Sequence, residues 1–313
     1  MSKFLVTGGA GFIGSHITEL LLSEGHDVII YDNFSTGREC NIEPFLDKIT
    51  VFREDIRDLD KLREAFVGVD YVIHHAAEVS AIKSVEEPLW ANEVNVTGTL
   101  NILVAAKEAG VKRVILATSS AVYGDTGNKP QAETDLPRPL SPYGATKLNG
   151  EHYLCVYNDT YGLETVRLRY FNVFGPRQNP KSQYAAVIPK FIDRILAGQD
   201  LHIFGDGEQT RDFVFVKDVA RANYMACLSD KAPGEVFNIA GGRSVSVNEL
   251  AEILMNLTGQ KVNVIHDPAN AGEIKYSASV TDKAREVLGF VPQTTFEQGL
   301  EQVIAYFKES KER

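Results

Sequence analysis

No stretch of the chain constrains its fold more than Thr7-Gly8-Gly9-Ala10-Gly11-Phe12-Ile13-Gly14. It follows a short apolar run, Phe4-Leu5-Val6, and opens a helical pattern with Phe12, Ile13, Ile17, Leu20 and Leu21 on one side. Strand, glycine turn and helix in that order predict a dinucleotide-binding loop. Gly8 permits the turn, Gly11 lets the backbone approach a pyrophosphate, and Gly14 lets the helix pack closely. The anion is expected at the helix N-terminus, where N–H groups and the dipole favour negative charge. A second strand, Val28-Ile29-Ile30-Tyr31, ends on Asp32, at the spacing expected to hold an adenosine ribose. An acid there favours NAD over NADP, because a 2′-phosphate would be repelled.

The rest of the first half alternates apolar runs with helical patterns: Ile49–Phe52, Tyr71–His74, Val114–Ala117 and Thr165–Arg169 as strands, with helices between them. Such alternation predicts an α/β fold with a doubly wound parallel sheet, whose ligands collect at the carboxyl ends of the strands. Beyond residue 172 prolines and glycines punctuate shorter pieces, which reads as a smaller substrate lobe. The expected division is a dinucleotide domain over 1–172 and a substrate lobe over 173–313, with a strand near 236–239 returning to the large sheet. At 313 residues the chain is long enough for both. A formal net charge of −10 without a basic run argues against nucleic acid. No apolar run reaches the length of a membrane span, and the first strand begins within three residues of the start. Cys40, Cys155 and Cys227 are too scattered for a disulfide framework and read as free thiols of a reducing compartment, the cytoplasm.

Tyr143-Gly-Ala-Thr-Lys147 is the second informative stretch. Four residues apart on a helix, Tyr143 and Lys147 share a face. A free tyrosine titrates near ~10, so action as a base near neutrality requires a drop of roughly three units. A neighbouring ammonium and a positive nicotinamide ring are expected to supply it. Thr118-Ser119-Ser120 closes the strand ending at Ala117 and sets hydroxyls at the carboxyl edge. His74 and His75 have no second ligand cluster and read as strand-end packing, so no metal is expected.

With these pieces the chain resembles the extended short-chain dehydrogenase/reductase superfamily, and within it the NAD-dependent UDP-hexose 4-epimerases. The likeness also rests on Asp32-Asn33, Asp55-Ile56, His74-His75-Ala76-Ala77, Asn95, Ser119 to Gly124, Arg169 to Asn172, Gly205-Asp206-Gly207 with Arg211-Asp212, and Asn238 to Gly242. The resemblance implies a catalytic set of Tyr143, Lys147 and Ser119. It implies an NAD site of Gly8, Gly11, Phe12, Ile13, Gly14, Asp32, Asn33, Ser35, Gly37, Asp55, Ile56, Ala76, Ala77, Asn95, Thr118, Tyr143, Lys147, Phe171 and Val173. Within it, Asp55 and Ile56 would hold the adenine. For a UDP-sugar it implies Ser119, Ser120, Tyr143, Asn172, Val187, His202, Ile203, Phe204, Arg211, Glu273 and Ser277. Arg211 would meet the pyrophosphate through its planar fork, and His202 to Phe204 would flank the uracil, with core packing the alternative for Phe204. Related enzymes pair two subunits through the helices near 94–109 and 143–158, so a homodimer is expected.

What is absent narrows the reaction. Related dehydratases place an Asp-Glu pair after the catalytic hydroxyl, and related decarboxylases a Glu at the second of those positions. Here the pair is Ser120-Ala121, which supplies neither acid nor carboxylate base. The family's arginine near the pyrophosphate is replaced by Asn270 in Asn270-Ala271-Gly272-Glu273, and Lys275 is the candidate to compensate. The resemblance also implies a wall beside the sugar's C2, on the family segment aligned with Glu273 to Ser277, where a tyrosine would exclude N-acetyl sugars. Counting back six from Lys283 puts Ser277 there, and a shift of one residue puts Tyr276 there. The expected activity is inversion at C4 of UDP-glucose and UDP-N-acetylglucosamine. A UDP-glucuronate 4-epimerase, another nucleotide-sugar oxidoreductase and a catalytically silent NAD-binding regulator are the alternatives.

Overall fold

The computed structural model describes residues 1–179, 187–269 and 274–312. In chain order its strands and α-helices are β1 (Lys3–Thr7), α1 (Phe12–Ser23), β2 (Asp27–Tyr31), β3 (Ile49–Phe52), α2 (Leu59–Ala65), β4 (Tyr71–His74), α3 (Ala81–Glu86), α4 (Pro88–Asn92), α5 (Gly98–Ala109), β5 (Arg113–Ser119) and α6 (Pro142–Tyr161). They continue with β6 (Glu164–Tyr170), β7 (Asn172–Phe174), α7 (Val187–Leu196), β8 (Leu201–Phe204), β9 (Thr210–Phe215), α8 (Val216–Leu228), β10 (Val236–Ile239), β11 (Ser244–Ser246), α9 (Val247–Thr258), β12 (Val264–Asp267) and α10 (Phe296–Glu312).

The expected doubly wound sheet is present. Seven parallel strands run in the order β10-β6-β5-β4-β1-β2-β3, and the order reverses between β1 and β4. That reversal opens a crevice at the carboxyl ends of the strands. Both faces are covered, which is why the strands read as unbroken apolar runs. Phe4 and Val6 of β1 face a core shared with Ile17 and Leu21 of α1 and Val219 of α8. Leu5, between them, faces the opposite core with Leu62 of α2, Leu103 of α5 and Leu154 of α6.

A third core lies among α7, α9 and α10, with Phe191, Leu250, Leu254, Leu300 and Val303 closing around Phe174, Phe213 and Phe215. Those aromatics come from a three-stranded sheet, β11-β9-β7; a parallel pair, β12-β8, lies apart from it. No helix among the described residues is long and apolar enough to cross a membrane.

Candidate active site

The glycine loop sits at the crevice between β1 and β4. Gly8 has φ +67°, and a Cβ there would lie 2.9 Å from the Ala76 nitrogen. At Gly14 a Cβ would come within 2.2 Å of the Gly8 carbonyl oxygen, so the loop and first helical turn close only around glycine. Gly11 caps α1 without a side-chain partner, and no acid stands in the first turn. The N–H groups of Phe12, Ile13 and Gly14 therefore face the crevice without helical acceptors, the arrangement a pyrophosphate requires. Asp32 accepts the N–H of Ala10 at 3.0 Å and of Phe34 at 2.8 Å, and burial raises its carboxyl above the usual range. Its carboxylate also lies where a Cβ on Gly37 would clash, which places Gly37 at the ribose acid.

Asp55 is more heavily engaged than the adenine expectation requires. Oδ1 accepts the backbone and Nε hydrogens of Arg57, and Oδ2 accepts Asn33 Nδ2 and Arg57 Nη2. The Arg57 guanidinium holds this carboxyl down to about 2. All four of its lone-pair sites are filled, so hydrogen bonding to an adenine would require exchange with Arg57 or Asn33. Arg57 in turn lies 4.3 Å over the Trp90 ring.

Helix α6 places the reactive pair. Ser141 caps it, its hydroxyl accepting the Gly144 N–H at 3.1 Å, and Pro142 fixes the first turn. Tyr143 follows, its N–H donated to Ser84 at 3.0 Å, and Ser119 stands at the end of the neighbouring strand β5. Lys147 is buried one turn on, with Nζ 3.0 Å from the Ala117 carbonyl and 5.9 Å from the Tyr143 ring centre. Burial disfavours the charged form of both groups. It pushes the Tyr143 phenol up and the Lys147 ammonium down to about 8. The expected lowering of Tyr143 is thus not met by the protein's own groups; it is Lys147 whose pKa falls.

Strand parity and packing narrow two further expectations. Thr118 points to the other face of β5 from Ser119, and its buried hydroxyl donates to Glu151 at 2.8 Å, within a Glu151–Arg169 ion pair. Only its backbone remains for a ligand. The Phe171 side chain is buried against Val122, Tyr123 and Ala240. His74 and His75 are packed at the strand end, and burial takes both imidazoles down to about 3.

Beyond β5 and β6 lies a cavity of about 340 Å³ that brings together Asn172, Val187, His202, Ile203, Phe204 and Arg211. Val173, expected at the cofactor, lines this cavity as well. Along β8 the residues alternate, with Leu201 and Ile203 buried and His202 and Phe204 outward. Phe204 is 46% exposed, which removes the core-packing alternative for its ring. Arg211 donates to the Thr210 carbonyl at 2.9 Å, and Asn172 to the Asp212 carbonyl at 3.2 Å. Ser277 is buried beside the more open Tyr276 but does not line this cavity. Glu273 and residues 270–272 lie outside the described residues.

Residues 4–240 match the NAD dependent epimerase/dehydratase family. The chain belongs to this family. Its cofactor is NAD. A putative UDP-glucose 4-epimerase of Methanocaldococcus jannaschii is 44% identical over 97% of this chain and 98% of its own length. The UDP-glucose 4-epimerase of Thermotoga maritima, solved with UDP-glucose, is 39% identical, covers 99% of both chains and superposes with a TM-score of 0.94. A UDP-N-acetylglucosamine 4-epimerase of Methanobrevibacter ruminantium M1, solved with UDP-N-acetylmuramic acid, is 41% identical over 99% of both chains, with a TM-score of 0.94.

Some of this family member's cavity was not legible in its sequence. Gln178 and Gln209 line it beside Phe174, Phe191 and Phe213. The aromatics carried only a core signal, and the two glutamines lie in irregular segments without periodicity. Gln178 Oε1 is buried without a hydrogen-bond partner among the described residues, an acceptor suited to a ligand's donor. Lys275, the candidate to replace the missing arginine, instead pairs with Asp206 at 2.8 Å.

Proposed function

We propose that the chain is an NAD-dependent 4-epimerase of UDP-hexoses that accepts both UDP-glucose and UDP-N-acetylglucosamine. One observation carries this reading: Lys147 is buried one turn from Tyr143 with Nζ 5.9 Å from its ring centre, Ser119 ends the neighbouring strand, and Ser120-Ala121 stand in place of any carboxylate. Ser119 orients the C4 hydroxyl of the sugar, and Tyr143 as phenolate takes its proton. Lys147, anchored on the Ala117 carbonyl, favours that phenolate by its charge. NAD would supply a reversible hydride acceptor for C4. Arg211 and Asn172 hold the nucleotide end while the 4-keto sugar turns over about its phosphate linkage, so remote binding energy restrains the intermediate. Tyr143 then returns the proton. With no acid or carboxylate base after Ser119, the site has no group to expel a hydroxyl or assist loss of a carboxylate.

Acceptance of the N-acetyl sugar rests on Ser277, the small and buried member of the Tyr276–Ser277 pair. Similarity of equal quality to a UDP-glucose and a UDP-N-acetylglucosamine epimerase supports the same breadth. The test is incubation with UDP-glucose, UDP-N-acetylglucosamine and UDP-glucuronate, with products read by NMR and NADH by absorbance. Interconversion of the first two at C4 without net NADH is expected. Accumulating NADH, or turnover of UDP-glucuronate alone, overturns the assignment.

A further inference from the structure

We propose that His74 is a positioning residue, an Nε2-protonated imidazole linking the cofactor crevice to the helix that carries Tyr143 by a hydrogen-bond chain of fixed direction. The direction follows from counting protons. Thr7, the last residue of β1, accepts the backbone N–H groups of His75 and Ala76, both at 3.1 Å, and so fills both lone pairs of its hydroxyl. Its one proton goes to His74 Nδ1, 2.7 Å away, which must therefore be bare. Nε2 carries the imidazole proton and donates it to Thr99 Oγ1 at 3.0 Å. The Thr99 proton is given to the Asn95 carbonyl at 2.6 Å.

Asn95 extends the link from a π-helical turn, Glu93–Thr97, inserted between α4 and α5. Its Oδ1 accepts the Glu78 N–H at 2.8 Å, and its Nδ2 donates to the Glu78 carbonyl at 3.0 Å and to Thr146 at 2.9 Å. Thr146 donates its own proton to the Tyr143 carbonyl at 2.8 Å. One end of the chain thus orders the His75–Ala76 turn against Gly8, and the other holds the first turn of α6. His74 is 2% exposed, and burial pushes its imidazole down to about 3, so it stays neutral across the working range. An imidazolium would set a second proton against that of Thr7.

The inference rests on Tyr143 being the base, and the test keeps the two apart. In the full chain with NAD, ¹⁵N NMR of the imidazoles is expected to show His74 with bare Nδ1 and protonated Nε2, unchanged from pH 6 to 8. Thr99→Val removes the middle hydroxyl at constant shape. It is expected to lower kcat for UDP-sugar epimerisation about tenfold, with KM and NAD affinity little changed, because small displacements of a reacting group are costly. Thr99→Ser restores the hydroxyl and is expected to recover most of kcat. An Nδ1-protonated or doubly protonated ring, wild-type kcat in Thr99→Val, or equal impairment of both variants overturns the positioning role. Persistent turnover in Tyr143→Phe instead overturns the assignment of the base and leaves the tautomer measurement to decide the chain.

Discussion

Tyr143 and Lys147 work as a pair, and the pair makes a prediction that neither residue makes alone. In the proposed mechanism the active form is phenolate with ammonium, one proton short of the form in which both are protonated. Burial draws Lys147 down to about 8 and raises Tyr143, so Lys147 is the member of the pair that loses its proton first as pH rises, and with it the charge that favours the phenolate. Epimerisation kcat/KM is therefore expected to fall as pH rises through about 8, where Lys147 loses its charge. Lys147→Met should remove that limb together with most of the turnover; a limb that stays in place identifies a different titrating group. Tyr143→Phe should lose about 10²-fold or more in turnover while NAD still binds, as read by equilibrium binding. Ser277→Tyr should abolish turnover of UDP-N-acetylglucosamine and spare UDP-glucose, and equal loss of both in coupled assays would remove Ser277 from the sugar wall. The identities and spacing of Ser119, Tyr143 and Lys147 were legible in the sequence because a helical repeat and a strand end place them. The directions of their pKa shifts were not, because burial comes from elements far away in the chain. Thr118 misled for a simpler reason: alternate residues of a strand face opposite ways.

The parallel strands were legible because burial on both faces leaves a continuous apolar run. The short strands were not. β7, β11 and β12 are three or four residues long, and β11 and β12 carry polar residues, so their pairing depends on distant partners. The stretch around Trp90 to Ala109 reads as one helix, but the structure interrupts it with the π-helical turn that presents Asn95. Asp212 on β9 shows how the short elements are held. Its carboxylate accepts the N–H groups of Gly241 at 2.9 Å and Gly242 at 3.0 Å and the hydroxyl of Ser279 at 2.6 Å. It thereby ties the strand of Arg211 to the turn after β10 and to the segment of Ser277. Burial wins over these bonds and pushes the carboxyl up to about 6 from an ordinary 3.8. A carboxyl raised on folding binds its proton more tightly in the native state. Its contribution to stability is complete below about 4 and is lost as pH rises through 6, a change of up to about 3 kcal/mol. Denaturant unfolding of wild type and Asp212→Asn across pH 4 to 7 should show the wild-type advantage shrinking as pH rises. An advantage that grows with pH would mean that the hydrogen bonds outweigh burial.

At the scale of the whole molecule, chemistry and recognition share one framework. β10 and α8, drawn from the second half of the chain, join the large sheet beside β6 and pack on α1. β9 and β7, which carry Arg211 and Asn172, form a separate sheet that meets the large one through the Phe171–Asn172 turn. A substrate anchored by Arg211 is therefore held by elements fixed to the same body that surrounds the cofactor crevice. An epimerase is redox-neutral over a turnover, so hydride leaves C4 and returns to C4 without exchange of the cofactor. The glycine loop, Asp32 and the α1 N-terminus can then retain NAD through many cycles. The purified protein is expected to carry NAD, seen as absorbance near 260 nm above the protein's own, or to need it only in catalytic amount. Removing NAD should lower the unfolding temperature, and adding it back should raise it in proportion to the logarithm of its concentration above the dissociation constant. With UDP-glucose present, NADH absorbance should stay below one equivalent per chain at all times. NADH that grows past one equivalent would mean that the oxidised sugar leaves before hydride returns, and the chain would then be a dehydrogenase built on the same site.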